Sequence, residues 1–208
     1  MILCDIGNTT FHFFIDGKDE KYYLNAHLPF FEECIYYVSV NENATAKLKL
    51  TSNEIFDLEP YIDFKTKYKG MGLDRKIACC SFKDGVVIDA GSAITVDVMK
   101  NGKHKGGFIL PGLSHFKRIY PEISHILQFD FNTKVNLDKI PLCTQDAISY
   151  GILKSIIEPI KKVSKKQKVV FTGGDGEFLS QYIKNSVYKK DLIFENMKGI
   201  INANNCIA

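Results

Sequence analysis

Three short stretches carry residues able to handle phosphate. In Asp5-Ile6-Gly7-Asn8-Thr9-Thr10 a carboxylate at the end of an apolar run is followed by a glycine, an amide and two hydroxyls. A glycine at such a turn lets successive backbone N–H groups converge on an anion, and Asn8, Thr9 and Thr10 add donors. Asp5 can hold Mg²⁺ through water, because Mg²⁺ keeps much of its hydration and takes one or two carboxylates beside substrate phosphates. Val87-Ile88-Asp89-Ala90-Gly91-Ser92 repeats the pattern: apolar run, Asp, any residue, Gly, small polar residue. Two such turns can grip a nucleotide's terminal phosphates from two sides.

The third stretch, Gly70-Met71-Gly72-Leu73-Asp74-Arg75, places an acid beside a base at a helix start behind a flexible loop. A carboxylate is ionised at neutral pH, so Asp74 can orient a substrate hydroxyl and accept its proton late in a loose phosphoryl-transfer transition state. Arg75 suits bidentate capture of a carboxylate. An Asp at a helix start also serves as a cap or dipole partner; its company with the two phosphate turns favours the chemical role.

Other chemistries lack their residues. No Gly-x-x-x-x-Gly-Lys-Ser/Thr run is present, so the clamp is not a P-loop, and its charge needs another cation: Lys76, Lys105 or a bound metal ion. The five histidines show no metal spacing, and no Gly-x-Ser-x-Gly elbow occurs. Cys4, Cys34, Cys79, Cys80, Cys143 and Cys206 form no Cys-x-x-Cys pair and read as reduced thiols.

The elements that must position these residues form two similar units. Each Asp-x-Gly strand is followed by a second β-rich run, Phe11 to Ile15 or Ile94 to Met99, and then by a hairpin signal, Asp16-Gly17 or Asn101-Gly102. Residues 35–40 read as a buried strand and residues 72–82 as a helix. Residues 106–112 read as a strand that leads into a loop. From Thr144, placed as N-cap, Ile148, Ile152, Ile156 and Ile160 step by four along one helix face, which Pro159 should kink or end. A strand at 168–172 runs into the turn Thr172-Gly173-Gly174-Asp175-Gly176, whose glycines permit close backbone approach. A helix over 177–184, a strand at 192–194 and a helix around 197–204 complete an α/β chain. The expected domains are 1–82 and 83–208, with the last helix able to pack back on the first and a cleft between them.

Of the 208 residues, 45% are hydrophobic and 25% charged, a composition that can bury a real core. A net charge of +3 is too small to imply a nucleic-acid or membrane partner, and the basic run 161–168 reads as a solvated helix end. With no apolar run approaching ~18 residues and no positive leader, the chain reads as cytoplasmic.

Asp5-x-Gly7-Asn8-Thr9, Gly72-x-Asp74-Arg75, Asp89-x-Gly91-Ser92 and Gly106-Gly107-x-Ile109-x-Pro111-Gly112 together resemble type III pantothenate kinase, in order and spacing along nearly the whole chain. The resemblance implies an actin-like fold of two duplicated domains, a homodimer, and transfer of the ATP γ-phosphate to the primary hydroxyl of pantothenate, the first step toward coenzyme A. It implies ATP binding by Asp5, Ile6, Gly7, Asn8, Thr9, Thr10, Phe11 and His12, and by Ser92. It implies a monovalent cation, K⁺ or NH₄⁺, at Asp89, besides the Mg²⁺ that accompanies ATP. Gly72, Leu73, Asp74 and Arg75 would bind pantothenate, with Asp74 as proton acceptor, and Thr144 would reach the neighbouring subunit's substrate; Tyr68 is a further substrate candidate. Ser92 stands where the family usually has Thr, and the segment upstream of Gly72 is compressed to Tyr68-Lys69-Gly70-Met71. The rivals are a nucleotide-binding regulator of the Bvg accessory factor type and an actin-like kinase for a sugar or other small alcohol.

Overall fold

The computed structural model describes residues 1–165 and 167–204, and the chain divides into two compact units. The first holds Met1–Phe82 and the segment from Asp191 onward; the second is Lys83–Lys190.

In the first unit, β1 (Ile2–Ile6), β2 (Thr10–Ile15), β3 (Lys18–Tyr23), β4 (Ile35–Ser39) and β5 (Ile55–Asp57) form one sheet in the order β3-β2-β1-β4-β5. β1 and β2 are antiparallel, as are β2 and β3, whereas β4 and β5 run parallel to β1. Asp16 (φ 48°) and Gly17 (φ 85°) supply the two positive φ angles of the turn between β2 and β3. Alternation sends Ile2, Cys4, Ile6, Phe11, Phe13, Ile35 and Tyr37 to one face, where α1 (Glu42–Leu48) covers them with Ala44 and Leu48. Asn41 starts that helix by accepting the Ala44 N–H at 3.1 Å. Helix α2 (Leu73–Cys79) contacts β4.

The second unit repeats this topology. β6 (Gly85–Ala90), β7 (Ala93–Lys100), β8 (Lys103–Pro111), β9 (Val169–Thr172) and β10 (Ser186–Tyr188) are ordered β10-β9-β6-β7-β8, with β6-β7-β8 antiparallel and β9-β10 parallel to β6. Asn101 (φ 53°) and Gly102 (φ 67°) turn β7 into β8. Helices α3 (Leu113–Ile123), α4 (Thr144–Ser164) and α5 (Gly176–Ser180) lie among the strands in sequence. The core sets Val86, Ile88, Ala90, Ile94 and Val96 against Ile152, Leu153, Ile156, Ile157 and Ile160 of α4; each fully buried side chain of this size contributes about 1.5–3 kcal/mol. The opposite sheet face carries a buried His104–Asp97 pair at 2.8 Å.

The last helix, α6 (Leu192–Ala203), belongs to the first unit. It contacts α2 and β1, and Asn196 Nδ2 donates to the Ile77 carbonyl at 2.7 Å and the Ala78 carbonyl at 3.3 Å, adding a donor to the acceptors at the end of α2. Phe194 packs edge-on against His12 and stacks on Phe14.

Several sequence expectations are corrected. Residues 192–194 are the first turn of α6, because Leu192, Ile193, Met197 and Ile201 follow helical spacing into the core; the last strand is Ser186–Tyr188. The segment after Gly112 is helical, not a loop. The N-cap of α4 is Cys143, with Thr144 as first helical residue, and the helix does not end at Pro159 but continues to Ser164. The helix expected over 72–82 stops at Cys79, and that over 177–184 is the short Gly176–Ser180. Cys206 and Lys166 lie outside the described residues. No described helix is long and apolar enough to cross a membrane.

Candidate functional site

In the first unit, β1 ends at Asp5 and Ile6 and the chain turns back through Gly7–Thr9, closed by a 3.0 Å bond from the Gly7 N–H to the Thr10 carbonyl. Asp5 is half-buried and lies opposite His12 across the β1–β2 pair. Asn8 and Thr9 are exposed, whereas Ile6 and Phe11 are core residues. A ligand can therefore meet Ile6 and Phe11 only through their backbone. Burial, and next the adjacent Asp5 charge, raise the Cys4 thiol well above its ordinary range, so Cys4 is an inert neighbour.

The same unit holds the Gly-x-Asp-Arg loop. Gly72 is the N-cap of α2 in extended backbone, and its carbonyl accepts the Lys76 N–H at 3.2 Å. Leu73 points into the core. Asp74 is half-buried, its Oδ1 accepting the Arg75 N–H at 2.8 Å. Arg75 is 4% exposed, with its guanidinium 4.7 Å from the centre of the Tyr68 ring, a cation–π distance. The structure thus joins Tyr68 to Arg75.

The second unit carries the repeated turn. The Gly91 N–H bonds the Ala93 carbonyl at 2.9 Å, making this hairpin one residue shorter than its counterpart, and Ser92 is exposed at its tip. Two other segments press on it. The Gly112 N–H donates to the Ser92 carbonyl at 3.0 Å, and a β-carbon on Gly112 would lie 2.1 Å from the Gly91 carbonyl oxygen. Gly173, at φ +83°, crosses Asp89 so closely that a β-carbon there would lie 2.4 Å from Asp89 Oδ1 and 2.6 Å from the Ala90 carbonyl. The Asp175 N–H donates to that same carbonyl at 2.9 Å. Asp89 is half-buried, with Thr95 and Thr172 beside it on the neighbouring strands. Among the described residues no cluster of three or more His, Cys, Asp or Glu could hold a metal ion. One carboxylate among hydroxyl and carbonyl oxygens fits a weakly held monovalent cation better than a divalent cage.

Thr144 is exposed at the start of α4, also in the second unit. The segment before the helix is tied to its first turn: Asn132 donates to Asp146 at 2.7 Å and to the Ser149 hydroxyl at 2.9 Å, and Gln145 to the Asp130 carbonyl at 3.0 Å. Lys105 is exposed on β8, while Lys117, not singled out in the sequence, lies near Asp175. Sequence reasoning also missed Gly112 and Asp175 as partners of the Ser92 turn; the glycine-dense run 172–176 was the available signal. A polar cavity of about 440 Å³ in the first unit, lined by Tyr37, Ser39, Asn41, Thr45, Asp57 and Glu59 among others, contains none of the expected site residues.

The sequence model of a family described as type III pantothenate kinase matches residues 22–166. A Campylobacter jejuni protein named type III pantothenate kinase is 48% identical over 205 residues, covering 98% of each chain. A Helicobacter hepaticus protein of the same name is 44% identical, covering 97% of this chain and 98% of its own. Among solved structures, one from Campylobacter jejuni, described as a conserved Baf family transcriptional activator, superposes with a TM-score of 0.88 at 44% identity over the whole of both chains. A Sinorhizobium meliloti protein described as a 2-dehydro-3-deoxygalactonokinase superposes with a TM-score of 0.61 at 10% identity over 98% of both chains, a likeness of fold alone.

Proposed function

The chain belongs to the type III pantothenate kinase family, and from that membership we propose that it transfers the ATP γ-phosphate to the primary hydroxyl of pantothenate, giving 4′-phosphopantothenate and ADP, in the cytoplasm. The observation that carries this reading is identity of 48% across 98% of a protein named for that activity, with the phosphate turns and the Gly72–Arg75 loop all present.

Roles follow from the chemistry of each segment. The backbone N–H groups of Gly7 to Thr10, with the Asn8 and Thr9 side chains, take phosphate oxygens, and Asp5 faces the hydrated Mg²⁺ that accompanies ATP. Ser92 adds a hydroxyl to the nucleotide from the second turn. Asp89 with its oxygen neighbours holds K⁺ or NH₄⁺, which when bound offsets phosphate charge that no P-loop lysine balances. Asp74 orients the pantothenate hydroxyl and accepts its proton as the hydroxyl oxygen bonds to the γ-phosphorus and the bond to the bridging oxygen of ADP breaks. Gly72, Leu73 and Arg75 frame the pantothenate site, with Tyr68 fixing the Arg75 plane.

The protein works as a homodimer in which Thr144 contributes to the neighbouring subunit's substrate site. Supporting this, α3 buries only Leu113 and leaves Ile119 and Ile123 exposed, and the turn after it exposes Ile126, 69% accessible, an apolar surface suited to a second copy.

The test is mass-spectrometric detection of phosphopantothenate from purified protein, ATP, Mg²⁺ and pantothenate, with K⁺ or Na⁺. K⁺-dependent product supports the reading. The description of the solved Campylobacter jejuni structure favours one rival, a nucleotide-binding regulator. A protein that binds ATP yet leaves pantothenate and a panel of small alcohols untouched would establish that rival.

A further inference from the structure

The phosphate turn of the first unit is held at both ends by its carbonyls. The Ile6 carbonyl accepts the Val40 N–H at 3.1 Å, from the residue that follows β4. The Thr9 carbonyl accepts the Leu24 N–H at 3.2 Å, from the residue that follows β3. These two anchors differ in their own support. β4 lies inside the sheet between β1 and β5, whereas β3 is its edge. Among the described residues no strand lies beyond β3 to pair with the chain that leaves it. The half-buried Leu24 and Ala26 therefore need a donor for their carbonyls from elsewhere.

That donor comes from α1. Lys47, in the last turn of the helix, donates through Nζ to the Leu24 carbonyl at 2.9 Å and also to the Ala26 carbonyl. Its ammonium stands 5.9 Å from the centre of the Phe11 ring, within cation–π reach. With two of its three N–H donors committed to main-chain carbonyls, Lys47 is a clamp on the backbone and not a ligand for phosphate. The start of the same helix is fixed to the end of β4: Asn41 accepts the Ala44 N–H at 3.1 Å, and the Thr45 hydroxyl donates to Ser39 Oγ at 2.7 Å. A closed ring results. It runs from Ile6 to Val40, along α1 to Lys47, through Leu24 to Thr9, and along the turn back to Ile6.

We propose that Lys47 is a positioning residue for the ATP site: by holding Leu24 and Ala26 it fixes the Thr9 side of the phosphate turn to α1, whose own start fixes the Ile6 side. The role of that turn in this statement rests on the kinase reading above. Lys47 acts on the nucleotide only through Leu24 and Thr9.

Lys47→Met keeps an unbranched stem and a similar helix propensity but loses the donors, whereas Lys47→Arg keeps donors. The experiment measures affinity for a fluorescent ATP analogue without pantothenate, KM for ATP and for pantothenate, and thermal stability, in wild type and both variants. Lys47→Met is expected to weaken analogue binding and raise KM for ATP about tenfold, the effect of one hydrogen bond from a charged group, with KM for pantothenate and kcat at saturation kept. Lys47→Arg should recover most of the loss. An equal rise in both KM values, or equal loss in both variants, overturns the proposal. Hydrogen exchange at the Leu24 amide of wild type tests it even if Lys47→Met does not fold: slower exchange with the analogue bound supports the link, and the same rate with and without it overturns it. A wild type that binds no analogue overturns the kinase reading as well, whereas wild-type affinity in a folded Lys47→Met protein overturns this inference alone.

Discussion

The Asp74 carboxylate folds back over Gly72, so that a β-carbon built on Gly72 would lie 2.4 Å from Asp74 Oδ1. The backbone of Gly72, at φ −60° and ψ 151°, is open to any residue, so the glycine is required for space and not for conformation. Only the tip of one flexible side chain obstructs a methyl group. Gly72→Ala is therefore expected to keep stability within about 0.5 kcal/mol by urea unfolding. Displacing the carboxylate should lower kcat/KM for pantothenate about tenfold to a hundredfold, in line with the cost of a ~1 Å misplacement. Unchanged activity would show that the Asp74 orientation is not functional.

Gly112 and Gly173 present the opposite case, since backbone atoms obstruct both: those of the Gly91–Ser92 turn at Gly112, and those of Ala90, beside the Asp89 carboxylate, at Gly173. Alanine at either position forces main chain apart, and at Gly173 adds strain from φ +83°. Each substitution should cost about 1–3 kcal/mol in urea unfolding. Gly174→Ala, with nothing within 4 Å of its β-carbon, is the matched control and should be near neutral.

The hairpins were legible in the sequence because Asp16-Gly17 and Asn101-Gly102 are residue pairs that tolerate two positive φ angles, and the structure places positive φ at all four. The α4 face was legible because Ile152, Ile156 and Ile160 keep strict spacing into the core. Helix α3 was not, since Gly112 withholds a capping signal and Pro121 near its end reads as a breaker. Leu192 to Phe194 misled because three apolar residues fit a strand as well as a helix, and only Met197 and Ile201 further on reveal the period. Asp74 and Asp89 stand as candidates on local motifs alone, which need no tertiary contact to be noticed. The bond from the Asp175 N–H to Ala90 was not legible, because the two residues come together only through the fold.

The exposed isoleucines of α3 lead to a prediction about assembly. Ile123→Asp, at a residue 67% accessible, should leave the fold intact and convert a sedimenting dimer to monomer. A wild type that sediments as monomer would refute the assembly and the trans role of Thr144 together.

Cysteine reactivity should separate by environment. Burial pushes the Cys80 thiol up to about 11, so at pH ~8 only roughly one part in a thousand is thiolate. Its folded value exceeds the unfolded one, so its contribution to stability is complete below the unfolded value and is lost as pH rises through about 11. Peptide mapping after iodoacetamide should find Cys143, which is exposed, labelled first and Cys80 slow, with the Cys80 rate climbing as pH approaches that value. Equal labelling at pH ~8 would contradict the burial of Cys80.

Asp74 is proposed as the proton acceptor in ATP-dependent phosphorylation of pantothenate. That role is met most directly by comparing wild type with Asp74→Asn in K⁺ and Mg²⁺, measuring turnover together with ATP-analogue affinity. A kcat lower by about 10²–10⁴ is expected in the variant, the range for a lost general base, with nucleotide affinity unchanged. Wild-type turnover in a folded Asp74→Asn protein would contradict it.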